Sequence, residues 1–184
     1  YSSYAKFEDR NAIYTTSTLN MGNYYGFGLN LNYVYDGEYS VCIGYTGNIR
    51  KPITQPENFS SGVIGIFFLG LSNPFDHFDS YIFTLGKIYN LNESVGIRAN
   101  ISAGVGLTTI KEPKNWKVSN DGVVSSNYTW DYYEYNTVSF IFNSKIEYLY
   151  SKYFGLTLSP IVQINKDRVN YGIGAGLMIG LLRN

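Results

Sequence analysis

The chain has 184 residues and equal numbers of basic and acidic side chains, so its formal net charge is zero. Charged residues make up only 15% of the sequence, which argues against the basic surface that a nucleic-acid partner requires. The length favours one domain, and the lone cysteine, Cys42, excludes an intrachain disulfide and a cysteine-rich metal site. Tyr and Gly each occur 19 times, and tyrosine is favoured in β-strands and at membrane interfaces.

The first 21 residues mix charged and polar side chains without a sustained period. We interpret residues 1–21 as an N-terminal extension with a short strand at Ala12 to Thr18, and residues 22–184 as the main domain. The chain begins at Tyr1 without a basic and apolar leader, so we expect that an export signal has been removed.

From residue 24 onward, apolar and polar residues alternate with the period of two that is typical of a β-strand. The pattern is strictest in residues 94–109, where Val, Ile, Ala and Leu alternate with Gly, Ser, Asn and Arg98. The predicted strands are Tyr24–Tyr35, Glu38–Arg50, Ser61–Leu71, Phe78–Asn90, Ser94–Thr109, Tyr135–Leu149, Tyr153–Asn165 and Val169–Leu182. The strand at 61–71 is apolar on both faces, so its length and its Phe, Ile and Val content decide its assignment.

The polar faces of these strands carry small uncharged groups where a soluble surface strand would carry Lys and Glu. This arrangement favours a barrel wall with lipid outside and a packed polar interior. No stretch reaches the 18 or so apolar residues of a membrane helix, and a closed barrel is the other backbone structure that can span a membrane. Eight strands close without an edge and leave an interior filled by side chains, which disfavours a general porin.

The strand order predicts which connections share an end of the barrel. With both termini on the periplasmic side, the connections at residues 36–37, 72–77, 112–134 and 166–168 face outward, and those at 51–60, 90–93 and 150–152 face the periplasm. The longest connection, residues 112–134, is then an external loop.

The span from about residue 22 to the end resembles a small eight-stranded outer-membrane barrel of the OmpA transmembrane-domain, OmpX and Opa type. Its Tyr-, Asn- and Gly-rich style is similar to that of barrel proteins of the Bacteroidota. The resemblance implies an all-β, antiparallel, up-and-down transmembrane β-barrel in the bacterial outer membrane, with the lipid bilayer as its surroundings.

Arg98 and Glu147 are charged residues on the polar faces of two predicted neighbouring strands. If Lys111 faces Glu134 at the base of the long loop, antiparallel register places Arg98 directly opposite Glu147. The same register pairs Asn100 with Lys145 and Ser102 with Asn143. A turn at Asp121-Gly122 fits a register shifted by two residues, so a bulge or a slip is required. The alternative is a solvated lumen in which each charge is hydrated separately.

The predicted loop at residues 112–134 holds a cluster of aromatic residues: Trp116, Tyr128, Trp130, Tyr132 and Tyr133. One interpretation is an aromatic belt at the membrane interface, with a hairpin that buries its own rings. The other is a contact surface for a partner protein or a glycan, since Trp and Tyr dominate binding hot spots. The sequence leaves both open.

His77 is the only histidine of the chain and so the only ready general base. A lipid-modifying barrel enzyme would pair it with a nucleophile such as Ser80 or Ser72, although the spacing matches no known motif. We therefore predict a non-enzymatic protein without cofactor or metal, serving as a membrane anchor, an adhesion or contact protein, or an accessory subunit of a larger envelope complex. A soluble lipocalin-like carrier would show the inverse pattern, apolar inside and charged outside.

Overall fold

The computed structural model describes residues 11–63, 73–92, 95–119 and 124–182. The chain forms eight strands: β1 (Ala12–Gly22), β2 (Tyr25–Tyr35), β3 (Tyr39–Arg50), β4 (Asp76–Asn92), β5 (Ile97–Val118), β6 (Tyr128–Leu149), β7 (Phe154–Ile164) and β8 (Val169–Leu181). Each strand pairs antiparallel with the next, and β8 pairs with β1. The predicted eight-stranded, all-β, up-and-down barrel is therefore confirmed.

The first strand lies earlier in the chain than predicted. Residues 12–21 belong to β1, which pairs with both β2 and β8, and are not an extension that precedes the barrel. The outer face of β1 carries Thr15 and Ser17 between its apolar residues. Because these polar residues interrupt the alternation, the period was hidden, although the short strand expected at 12–18 lies within β1.

No strand lies between β3 and β4 in the barrel wall, where the strand at 61–71 was predicted. Strand β3 pairs directly with β4, from Tyr39 opposite Lys87 to Arg50 opposite Asp76, so residues 51–75 connect them. Residues 61–63 are outside any strand, and residues 64–72 lie outside the described ranges. The predicted place of this strand in the barrel order was wrong, because an apolar run without a period does not by itself identify a wall strand.

Because β1 begins at residue 12 and β3 pairs directly with β4, two of the connections lie at the opposite end of the barrel from the one predicted. One end of the barrel, the loop end, carries the connections at 23–24, 51–75, 119–127 and 165–168. The other, the turn end, carries those at 36–38, 93–96 and 150–153, together with the start of β1 and the end of β8. Residues 36–37 and 51–60 therefore lie at the ends opposite to those predicted, whereas the long connection lies at its expected end. Among the described residues, no helix is long and apolar enough to cross a membrane.

The outer face of the barrel is an apolar belt. Tyr81 and Leu107, for example, are 69% and 68% exposed. Along β5 the outward residues are apolar from Ile97 to Leu107, and the next outward residue is the polar Thr109. About ten residues at about 3.4 Å each, tilted by about 40°, span roughly 25 Å, the height of the lipid-facing band of outer-membrane barrels.

Strands β5 and β6 continue beyond this belt. Residues 109–118 and 128–136 remain paired, and the bounds of both strands lie inside the predicted loop at 112–134. At about 3.4 Å per residue the extension is roughly 30 Å long. We call this segment, residues 109–136, the projecting hairpin. Its strands were not predicted because both of their faces carry polar residues, so the apolar alternation that marks the other strands is absent.

Candidate functional site

Arg98 and Glu147 form a buried ion pair in the lumen, near the turn end. The structure pairs them across β5 and β6, as the register argument predicts. The Arg98 Nε donates to the Glu147 Oε2 at 2.6 Å, and the Tyr14 hydroxyl donates to the Glu147 Oε1 at 2.8 Å. Glu147 is 0% exposed, so the two charges are paired directly and not hydrated separately.

The remaining polar residues of β5 and β6 connect these strands to others across the lumen. The Lys145 Nζ donates to the Asn32 Oδ1 on β2 at 2.9 Å, and the Asn100 Oδ1 accepts from the Ser40 hydroxyl on β3 at 2.9 Å. Lys145 lies opposite Asn100, and Asn143 lies opposite Ser102, as predicted. The Ser102 hydroxyl donates to the Asn143 backbone carbonyl at 2.5 Å. These bonds join different parts of the wall through the barrel interior.

Apolar clusters close the lumen at both ends. At the turn end the buried cluster consists of Ala12, Tyr14, Val34, Ile88, Leu149, Met178 and Leu182. At the loop end it consists of Tyr24, Phe78 and Ile110, with Tyr135 packed against them. Between them, a cavity lined by Lys145 and Asn143 among others measures about 10 Å³, enough for about one water molecule. The described lumen is thus a packed core and not an open channel.

Ion pairs lie next to the loop-end cluster. The Arg50 Nε donates to the Asp76 Oδ2 at 3.0 Å, and the Arg168 Nε donates to the Glu112 Oε1 at 2.9 Å. The Arg50 guanidinium carbon also lies 4.4 Å from the centre of the Tyr24 ring. Burial raises the pKa of the Tyr24 hydroxyl above its usual value, although the charges of Arg50 and Arg168 lower it. Charged side chains thus surround the apolar cluster at the loop end.

His77 does not pair with Ser80, the first of the two nucleophiles considered above. Its side chain lies on the outer face of β4, whereas Ser80 faces the lumen, is 0% exposed, and hydrogen-bonds with the Thr108 hydroxyl at 2.8 Å. An odd spacing on a strand places two side chains on opposite faces, so His77 cannot activate Ser80. The alternative nucleophile, Ser72, lies outside the described residues. Within the described ranges, no group of three or more His, Cys, Asp and Glu side chains could hold a metal ion.

Three of the five aromatic residues proposed as partner contacts pack into one cluster on the projecting hairpin. The Trp116 ring lies 5.6 Å from Trp130 and 6.4 Å from Tyr128, measured between centroids. Phe59, from the connection between β3 and β4, lies 5.8 Å from Trp116 and 6.1 Å from Trp130 in edge-on geometry. Such pairs contribute about 0.5–1.5 kcal/mol beyond their buried area. The hairpin therefore buries part of its own aromatic surface against residues 51–63.

A β-bulge places Trp116 in this cluster. Between Lys114 and Lys117, β5 advances one residue more than β6, and Asn115 adopts a left-handed conformation with φ of 56°. Asn is among the non-glycine residues that tolerate this conformation best. The extra residue moves Trp116 to the face that carries Trp130. A turn at Asp121-Gly122 would need an extra residue on β6 or a slip of the register, whereas this bulge adds its residue on β5. Residues 121 and 122 lie outside the described ranges.

Hydrogen bonds hold the connection from β3 to β4 against β5. The Trp116 indole Nε1 donates to the Thr54 hydroxyl at 3.2 Å, and that hydroxyl donates to the Pro113 carbonyl at 2.9 Å. The Thr54 side chain is thus bonded on both sides. The edge of β5 beyond the end of β4 is covered by this connection.

A second set of hydrogen bonds holds the tip of the hairpin. The Asn127 backbone N–H donates to the Ser60 carbonyl at 3.0 Å, and the Ser60 backbone N–H donates to the Asn127 Oδ1 at 2.7 Å. The Asn127 Nδ2 and the Tyr128 hydroxyl both bond Asn58, at 2.8 Å each. We call residues 51–63, which pack on β5 and on the tip, the brace.

The other two proposed contact residues are exposed and lie apart from the cluster. Tyr132 is on the outer face, where the Lys111 Nζ lies 4.7 Å from its ring centre. Tyr133 faces the opposite side, with the Lys114 Nζ at 4.4 Å. The five residues therefore divide into three that stabilise the hairpin and two that face solvent.

Sequence reasoning missed the brace residues Thr54, Asn58 and Phe59. Pro52 and Pro56 mark the segment as a connection, but no local pattern shows where it packs. The brace lies beside β5 because β3 and β4 are neighbours in the barrel. That neighbour relation can be predicted only when all eight strands are assigned correctly. A correct assignment of β1 would have placed residues 51–75 at the loop end.

No protein-family model and no curated protein matches the sequence. Solved structures do match. The N-terminal β-barrel domain of Pseudomonas aeruginosa OprF is 12% identical with a TM-score of 0.54, covering 92% of this chain and 96% of that one. Ail of Yersinia pestis is 12% identical with a TM-score of 0.50, covering 92% and 93%. Neisserial surface protein A is 10% identical with a TM-score of 0.50, covering 92% and 95%. The fold is that of the small outer-membrane β-barrels.

Proposed function

We propose that this outer-membrane barrel is a non-enzymatic contact protein whose projecting hairpin binds another surface protein or a glycan. The observation that carries the proposal is the extension of β5 and β6 by roughly 30 Å beyond the apolar belt, with the brace packed against it. The barrel then serves as the membrane anchor of this surface. An accessory role in a larger envelope complex is one form that such contact takes.

The lumen supports this proposal because it is packed with side chains. The Arg98–Glu147 ion pair and the apolar clusters at both ends fill the path that a solute would take. An eight-stranded barrel has an interior just wide enough for its own side chains. A contact role uses the outside of such a barrel and needs no passage through it.

The surface of the hairpin supports contact with a partner. Val118 and Val124 are 75% and 62% exposed near the tip, beyond the belt that lipid covers. Tyr132 and Tyr133 are exposed closer to the barrel. Exposed apolar and aromatic side chains outside a membrane are a feature of interaction sites. Because the brace already orders the hairpin, binding loses little further conformational entropy.

One structural neighbour, Ail, is described as an attachment invasion locus protein. Attachment is a property of that protein, and for this chain it belongs to the proposal. The alternative, lipid modification by His77, has less support, because Ser80 faces the opposite side of the strand.

The test is to replace residues 114–132 with a short Gly/Ser turn and to compare co-purification from native membranes in mild detergent. The matched control replaces the turn at residues 150–153, at the other end of the barrel. We expect both variants to fold, which heat-dependent migration on gels checks, and only the hairpin variant to lose its partners. Retention of every partner by the hairpin variant would refute the proposal.

A further inference from the structure

One edge of the projecting hairpin is open along much of β6. Strand β6 pairs with β5 over its full length, from Leu149 near the turn end to Tyr128 at the tip. Its pairing with β7 begins only at Phe140, opposite Ile164. Residues 128–139 therefore have no strand neighbour on the β7 side among the described residues. The opposite edge of the hairpin, on β5, is covered by the brace.

The hydrogen bonds at the two ends of β6 show which backbone groups face the open edge. The Leu149 N–H donates to the Gly96 carbonyl, and the Asn127 carbonyl accepts from the Ser119 N–H, each at 2.8 Å. Both odd-numbered residues therefore point toward β5. In an antiparallel strand the backbone N–H and C=O groups of successive residues point alternately to one side and the other. The bulge in this pairing adds its residue on β5, so the alternation along β6 is unbroken.

The even-numbered residues therefore present their backbone N–H and C=O groups to the open edge. At the tip, the Tyr128 carbonyl already accepts a hydrogen bond from the Ser126 hydroxyl. The even-numbered residues between Tyr128 and the start of the β7 pairing are Trp130, Tyr132, Glu134, Asn136 and Val138. Within the described chain, the backbone groups of these five residues make no hydrogen bond on that side.

The sequence of this edge lacks the features that protect exposed strands. Natural proteins block such edges with proline, lysine, bulges or very short strands. Residues 128–139 contain no Pro, Gly, Lys or Arg and are rich in Tyr, Thr and Trp, which favour strands. By contrast, the extension of β5 carries Pro113, three lysines and the bulge. Only one edge of the hairpin is therefore suited to accept another strand.

We propose that this open edge of β6 binds an extended segment of a partner protein, which adds to the hairpin as a further β-strand. In this mode the main-chain hydrogen bonds supply affinity and alternate side chains supply specificity. The inference rests on the proposed contact function and deepens it, because it names a protein segment as the ligand and the backbone of residues 130–138 as the site.

The charges on β6 indicate the chemistry of that segment. Asp131 and Glu134 are the charged residues in this part of β6, and both are acidic. Opposite charges on neighbouring strands stabilise a sheet, whereas like charges destabilise it. On the other side β5 places Lys111 opposite Glu134 and Lys114 opposite Asp131, and a strand with basic and hydroxyl side chains on the open edge repeats this pairing. A second copy of this chain fits poorly, because antiparallel pairing of two β6 edges centred on Tyr133 makes the two Glu134 side chains diagonal neighbours on one face.

Hydrogen exchange of backbone amides, measured by NMR in lipid nanodiscs, tests the proposal. Without a ligand, we expect the amides of Tyr132, Glu134 and Asn136 to exchange fast and those of Asp131 and Tyr133 to be protected by β5. The probe is a peptide of alternating Lys and Thr. On its addition the even-numbered amides should become at least about tenfold slower, as expected for new main-chain hydrogen bonds. Protection of the even-numbered amides before any addition, or no change on addition, would overturn the proposal.

A matched pair of variants separates the backbone of the edge from its side chains. Asn136→Pro removes one N–H from the open edge and none from the β5 ladder. Asn136→Ala removes the same side chain and keeps the N–H. We expect the proline variant to bind the peptide about tenfold more weakly than the alanine variant. Equal affinities would refute a backbone-mediated site. If the native partner is lost on hairpin replacement but retained by Asn136→Pro, the contact function stands and the edge inference fails.

Discussion

Strands β5 and β6 contribute both to the wall of the lumen and to the projecting hairpin, and one register runs from Arg98 opposite Glu147 to Lys114 opposite Asp131. Within the apolar belt both strands have neighbours on each side, and their inward side chains meet others across the barrel. Beyond the belt β4 and β7 end, so that β5 and β6 are paired only with each other and their polar side chains are no longer inside the barrel. On these strands the environment of a residue pair, and not its sequence pattern, decides whether the pair is structural or available to a partner.

Arg98 with Glu147 and Lys111 with Glu134 are cross-strand neighbours of opposite charge, and substituting each glutamate tests this difference between lumen and hairpin. Glu147→Ala leaves Arg98 buried without its partner and should destabilise the barrel by about 3–5 kcal/mol. Glu134→Ala removes the residue opposite Lys111 in the same register, but in the exposed hairpin, and should cost at most about 1 kcal/mol. Urea unfolding in detergent micelles, followed by far-ultraviolet circular dichroism of the strands, measures both free energies.

Replacing both members of the buried pair completes this test. Because a charge pair replaced by apolar residues leaves no uncompensated charge, Arg98→Met together with Glu147→Leu should recover part of the loss caused by Glu147→Ala. Additive effects of the two single substitutions would contradict a direct interaction.

Tyr14→Phe is expected to produce the next largest effect. The substitution leaves one buried oxygen of Glu147 without its hydrogen-bond donor, which typically costs about 1–3 kcal/mol. Unfolding in urea should therefore shift to lower concentration with an unchanged slope. The control is Tyr133→Phe on the hairpin, where the hydroxyl is exposed and its loss should have no measurable effect.

The brace predicts a smaller and local effect. Trp116→Ala removes ring contacts with Phe59 and the hydrogen bond to Thr54. We expect faster hydrogen exchange in residues 51–63 and in the hairpin, with the exchange of the lumen strands unchanged. The same protection in the variant as in the unchanged protein would show that the cluster does not hold the brace.

Tyr133→Ala should have the smallest effect on stability. The side chain is exposed and its described ring contacts are with Tyr135 and Lys114, so we expect a change within about 0.5 kcal/mol. The variant is therefore suited to partner-binding assays. A large loss of stability would mean that the exposed and packed parts of the hairpin are not separate.

The period of two in the sequence is sufficient to predict the fold class and the faces of most strands, because one face must meet lipid and the other a packed interior. The sequence leaves more than one register open between β5 and β6, and the structure shows the one in which Arg98 lies opposite Glu147. An antiparallel register is constant until a residue is inserted, and no local pattern shows that the insertion lies on β5 between Lys114 and Lys117.

Which eight segments close the barrel follows from the tertiary structure. Strand β1 is interrupted by Thr15 and Ser17 on its outer face, so its local pattern is weaker than that of the apolar run at 61–71. Nevertheless β1 pairs with β2 and β8, and β3 pairs directly with β4. Closure settles the choice, since β8 requires a partner and β1 supplies one. The position of the brace depends on this choice as well, because residues 51–63 reach β5 only when β3 and β4 are neighbours. The open edge of β6 depends on where its pairing with β7 ends, at Phe140 opposite Ile164, and the alternation of the sequence does not show that point.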